Sequence, residues 1–152
     1  MHTASSRGSA RAGLLRFVEA QAPAYSHAVA ELAAGRKESH WIWFVFPQLA
    51  VLGRSDRARF YGLADRNEAL AYWQHPLLRQ RLLHCVDLML AVPDRSAHQI
   101  LGSPDDLKLR SCLTLFEVVA PDEPRFGLAL ERFYDGERDP RTREALSGDD
   151  GG

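Results

Sequence analysis

An all-α fold, a compact single-domain bundle of about seven or eight short helices, follows from three observations on this chain of 152 residues. Proline and glycine cut it into helical lengths whose apolar residues recur at i, i+3 and i+4. Serine and aspartate stand at the starts of several of these lengths, where their side chains accept from free backbone N–H groups. Valine and isoleucine are sparse, and no alternating stretch bounded by hairpin turns occurs.

In chain order, Leu14 to Ala22 reads as a short amphipathic helix with Leu14, Phe17, Val18 and Gln21 or Ala22 on one stripe. A second spans Ala24 to Ala34 through Tyr25, Ala28, Val29 and Leu32, and Gly35 stands where a left-handed residue ends a helix. Asp65 and Glu68 have capping-box spacing ahead of Ala69 to Trp73. Pro76 suits the first turn of the longest helix, Pro76 to Val92, whose apolar positions are Leu78, Leu82, Cys85, Val86 and Met89. Ser96 to Leu101 fits a short capped helix. Ser103-Pro104-Asp105-Asp106 supplies an N-cap serine, a proline at the first helical position and acids at the positive end of the helix dipole. That helix ends before Pro121; Asp122 to Tyr134 forms the next, stopped by Gly136, and Asp139-Pro140 opens a last short one. Residues 1–12 and 147–152 read as disordered tails flanking one domain over 13–146.

The composition bounds the function. With 45% hydrophobic and 26% charged residues, the chain is patterned for a globular core. A formal net charge of −1 disfavours nucleic acid as a partner, although Arg54, Arg57, Arg59 and Arg66 form a basic stretch. The longest apolar run, Trp41 to Phe46, is far short of a membrane span, and the N-terminus lacks the apolar stretch of a secretory signal. Two cysteines, Cys85 and Cys112, cannot form a disulfide framework, so a reducing cytoplasm is the expected setting. No cofactor or metal site is expected: His84 and Asp87 share a helix face, but zinc needs a third ligand.

Charge is unevenly spread. Arg36 to Arg66 holds six basic and three acidic residues, whereas Ser103 onward holds seven basic and twelve acidic. Arginines number 17 and lysines two, at positions 37 and 108, and both lysines fall in the most unusual stretches. The first stretch runs Arg36-Lys37-Glu38-Ser39-His40-Trp41-Ile42-Trp43-Phe44-Val45-Phe46-Pro47-Gln48. If Ser39 caps a helix, its first turn offers free N–H groups beside Arg36, Lys37 and His40, an anion site. Trp41 or Trp43 would stack on a planar group, and Gln48 would hydrogen-bond a ligand or satisfy a backbone group. The plainer reading is a buried apolar segment with cations at its solvent edge, and its length decides neither helix nor strand.

In the second stretch, Ser103 to Glu117, Lys108 and Ser111 share a helix face. They could form a base and nucleophile, hold a phosphate, or be structural, with Lys108 paired to Asp105 and Ser111 bonded to a carbonyl one turn back. Asp105 and Asp106 are explained by capping alone.

At R-K-E-S-H-W-I-W-F-V-F-P-Q, L-A-Y-W-Q-H-P-L-L-R-Q-R-L-L and G-S-P-D-D-L-K-L-R-S-C-L-T-L-F-E, taken in that order, the chain resembles the domain-of-unknown-function 1810 family. The resemblance covers about Leu14 to Leu146. It implies a small, mainly α-helical, single-domain bacterial protein without an established activity. The family's motif positions fall here on Arg36, Lys37, Ser39, His40, Trp41, Trp43, Phe46, Pro47, Gln48, Asp105, Lys108 and Ser111, and bring no catalytic roles with them. The calpastatin label sometimes given to this family does not suit a patterned globular chain, since calpastatin is a disordered inhibitor.

The expected function is a site for a small anionic molecule, nucleotide- or phosphate-like, built between the two stretches. Arg36, Lys37, Ser39, Trp41, Trp43 and Gln48 are its binding candidates. His40, Lys108 and Ser111 are the catalytic candidates should the ligand be hydrolysed as a nucleotide- or ADP-ribose-like compound, His40 because its ordinary pKa lies near neutrality. The alternative is a non-enzymatic interaction module with the aromatic run exposed as an anchor.

Overall fold

The computed structural model describes residues 5–151, and the side chains of residues 13–148. Among these residues there are nine α-helices and no named strand. They are α1 (Ser5–Ala33), α2 (Ile42–Val45), α3 (Asp56–Phe60), α4 (Arg66–Gln74), α5 (Pro76–Ala91), α6 (Ala97–Leu101), α7 (Asp105–Val119), α8 (Pro124–Tyr134) and α9 (Pro140–Gly151). A 3₁₀ turn over Ala50–Leu52 lies between α2 and α3. The tails expected at 1–12 and 147–152 fall mostly outside the described side chains.

The sequence reading breaks the first helix at Pro23, but α1 runs through it unbroken. Pro23 and Glu19, whose carbonyl loses its donor, are both solvent-exposed, so water can serve that carbonyl. The opposite stripe, Leu14, Phe17, Gln21, Ala28 and Leu32, is buried and continuous. Burial of that stripe outweighs the missing bond. At the far end Gly35 adopts φ +76° as expected, with Arg36 N donating to the Glu31 carbonyl and Gly35 N to that of Leu32. These two bonds define a Schellman stop.

Local capping accounts for most other boundaries. The Asp65 side chain accepts from Glu68 N at 2.9 Å, and Ser96 and Gln99 close a full capping box on α6. His75 Nδ1 accepts from Leu78 N at 3.3 Å and caps α5, with Pro76 in the first turn. At α7 the expectation needs correcting. Pro104, not Ser103, holds the N-cap position and no side chain caps it, because the proline ring carries no hydrogen-bond acceptor.

The core is strung on aromatic rings. Phe17 of α1 meets Tyr72 of α4 edge-on, with centroids 5.1 Å apart. Tyr72 meets Phe116 of α7 at 5.5 Å, and Phe116 meets Phe126 of α8 at 5.8 Å. Gln21, itself buried, donates from Nε2 to the Tyr72 hydroxyl and to the Phe44 carbonyl, so the polar atoms inside this stack have partners. Cys85 and Cys112 are buried core thiols, and burial pushes Cys85 up to about 12. Replacing Phe17 by Ala empties the end of the ring stack and should lower the unfolding free energy by about 3–5 kcal/mol in a denaturant titration.

Candidate functional site

The loop after α1 is organised by a single carboxylate. Glu31, in the last turns of α1, accepts Glu38 N at 2.8 Å, Ser39 N at 3.0 Å, the Ser39 hydroxyl, and Trp41 Nε1 at 2.9 Å. Partial burial alone would raise its pKa; the hydrogen bonds from Ser39, Glu38 and Trp41 overcome this and hold it at about 2. Four donors next to the candidate anion site are therefore taken up by the protein's own carboxylate. Ser39 is not a helix cap: Trp41 precedes the single turn of α2.

From that anchor the aromatic run turns inward as a helical turn, which settles its undecided form. Trp41 and Phe46 are each 1% exposed. Trp43 stays half-buried, with Arg57 over its ring at 5.1 Å and Lys108 at 5.5 Å. Lys37 lies over Trp41 at 5.1 Å, and its ammonium meets Asp105 at 2.8 Å. Lys108 approaches the other oxygen of Asp105 at 3.9 Å. The two stretches do meet, and Asp105 is where they meet. Read from sequence as a cap, it is the counter-ion of both lysines, while Asp106 pairs only with the exposed His98 at 3.5 Å.

Beside this junction opens a cleft of about 580 Å³. Gln48 and the segment Leu52 to Ala58 form one wall; the start of α7 and the Asp139–Arg141 corner of α9 form the other. Four cations line it, Arg54, Lys108, Arg110 and Arg141, against one carboxylate, Asp139. Ser55, Ser111 and Gln48 add neutral polar groups, and Leu52, Ala58, Pro104 and Leu107 an apolar surface. Among the described residues, Arg54 and Arg141 make no ion pair. Arg110 reaches Asp139 at 3.6 Å and Glu137 at 3.7 Å, and its Nε is buried without a hydrogen-bond partner. Asp139 is buried, accepts Ser111 Oγ at 2.8 Å, and caps α9 through Thr142 N.

Of the residues singled out by sequence, the cleft gathers Gln48, Lys108 and Ser111, and Trp43 lies next to it through Lys108. Arg36 and His40 are exposed away from its lining, and His40 makes no hydrogen bond among the described residues. Lys37, Ser39 and Trp41 are committed to Asp105 and Glu31. Sequence reasoning missed Ser55, Arg110, Asp139 and Arg141 as site residues. Arg54 was visible only as part of a basic stretch, and Asp139 only as a helix start. Among the described residues no cluster of three or more His, Cys, Asp or Glu could hold a metal, and no helix is long and apolar enough to cross a membrane.

A family model described as "Protein of unknown function (DUF1810)" matches residues 11–146. The chain belongs to the DUF1810 family. A solved DUF1810-like structure, the conserved hypothetical protein Rv1873 from Mycobacterium tuberculosis, is 49% identical, covers 88% of this chain and 96% of its own, and superposes with a TM-score of 0.87. No curated protein matches.

Two outcomes test this geometry. Asp105→Asn should destabilise the fold by about 3 kcal/mol or more, because two largely buried ammonium groups lose their shared counter-ion, whereas Asp106→Asn should cost about 1 kcal/mol or less. For Glu31, the folded-state pKa lies below the ordinary 4.5, so its stabilising effect is complete above that value and is lost as pH falls from there toward about 2. Glu31→Gln should cost about 1–3 kcal/mol near neutrality and flatten the stability profile across that acidic window.

Proposed function

We propose that this DUF1810 protein binds a small phosphate-bearing or similarly anionic molecule in the cleft between the Leu52–Ala58 segment and α7. The observation that carries the reading is the lining charge: four cations face one carboxylate, and two of the arginines have no acid partner among the described residues. Unpaired arginines gathered on a concave, partly apolar wall focus a positive potential, and a guanidinium matches a phosphate with two parallel donors. Leu52, Ala58, Pro104 and Leu107 would take the uncharged part of the ligand.

The cleft favours a compact ligand over one recognised by base stacking. Its lining contains no aromatic ring, and the faces of Trp43 are met by Arg57 and Lys108. Binding is also favoured over hydrolysis. Ser111 donates to Asp139, which already caps a helix, Lys108 is drawn to Asp105 and makes no hydrogen bond to Ser111 among the described residues, and His40 lies outside the lining. The interaction-module alternative has less support, since Trp41 and Phe46 are buried rather than exposed as anchors.

Thermal unfolding in the presence of inorganic phosphate, ribose 5-phosphate, ADP-ribose and ATP tests the reading. At a hundredfold excess over Kd, a bound ligand stabilises by about 2.7 kcal/mol and should raise Tm by several degrees. The double variant Arg54→Ala/Arg141→Ala should keep the parent Tm without ligand and lose most of the shift with it. A panel in which no compound raises Tm overturns the proposal.

A further inference from the structure

Next to the cleft, and sharing Gln48, Ala58 and Lys108 with it, lies a small hollow also walled by Ile42, Trp43 and Phe46. Its volume is about 10 Å³. That is room for roughly one oxygen atom and no more. Trp43, which walls the hollow, carries an indole N–H that is buried and has no hydrogen-bond partner among the described residues. The contrast with Trp41 is informative: two residues earlier, the same group donates to Glu31 at 2.9 Å. A buried donor left without an acceptor is disfavoured, because its lost hydration is not replaced. The hollow is thus walled by a residue with an unpartnered buried donor, by a lysine and by a glutamine.

We propose that this hollow is the oxygen-binding end of the cleft: the Trp43 indole N–H and the Lys108 ammonium receive one oxygen of a phosphate group, with Gln48 as a third polar neighbour. The inference rests on the reading of the cleft as a phosphate site and deepens it by naming where the phosphate sits. The remaining charge of the group faces the cationic cleft wall, and the rest of the ligand extends toward Leu52 and Leu107. Lys108 carries both roles, since it lies over the Trp43 ring and belongs to both the hollow and the cleft. A cation on the ring face withdraws electron density from the indole and makes its N–H a better donor. Arg57 on the same ring acts in the same direction.

The proposal is tested by titrating the isotope-labelled full chain with inorganic phosphate, and separately with ribose 5-phosphate, while following the three indole N–H resonances by heteronuclear NMR. The Trp43 signal, identified by sequential assignment and by its loss in Trp43→Phe, should move downfield with saturation. The Trp41 signal, whose donor is held by Glu31, should stay in place. By calorimetry, Trp43→Phe should weaken phosphate binding about tenfold, the effect of one hydrogen bond to a charged group. Phosphate heat that persists with a stationary Trp43 signal, or with equal affinity in Trp43→Phe, would show a water-filled hollow. That result overturns this inference and leaves the cleft reading standing. Neither heat nor a shift with either compound in the parent protein defeats both. The parent-protein spectrum decides the matter even if Trp43→Phe does not fold.

Discussion

The Glu31 carboxylate is the point from which the rest of the site is built. A helix that has ended must still find partners for the chain that leaves it, and four donors of the departing loop close on this one side chain. The bonds hold the loop against α1 and orient Trp41 so that its ring enters the core. Two residues on, Trp43 emerges half-buried beside Lys108, and beyond the next turn Gln48 reaches the cleft wall. The arrangement binds an anion, but an internal one.

That internal consumption of charge explains where an external ligand can be received. Lys37 and Lys108 share Asp105, and the Glu38 and Ser39 N–H groups share Glu31, so part of the positive character of the two unusual stretches is neutralised by the fold. In the cleft, the cations without an acid partner among the described residues are Arg54, from the basic stretch, and Arg141. Arg141 even comes from the acidic half of the chain. Local charge counts did not anticipate this, because a cleft draws its lining from both sides of a junction and ignores sequence distance.

The helices were legible to the extent that their determinants are local. The Gly35 stop, the Asp65 cap, the Ser96 box and the proline opening α5 each depend on residues within one turn, and each occurs where the pattern placed it. Pro23 shows the opposite case: a residue that breaks an isolated helix is carried along when its faulty side faces water and the other side is buried. The short helices α2 and α3 carried no clear periodic signal, since four or five residues are too few to display one. At the site, the two unusual stretches were legible as candidates from their composition, but whether they approach one another was not. The committed state of Lys37, Ser39 and Trp41 was not, because each is satisfied by a partner on another element.

By itself, then, the amino-acid order determined an all-helical chain and most of its caps and stops, and marked two unusual segments as candidates for a site. Capping and periodicity act over three or four residues, so most of these signals keep their meaning whatever the chain packs against. The tertiary structure alone decided which charges are spent and which remain. Pairing a lysine with an aspartate, or a carboxylate with a loop, depends on which surfaces the core brings together. Only after those pairs are made does the positive wall of the cleft, with a buried indole at its edge, come into being.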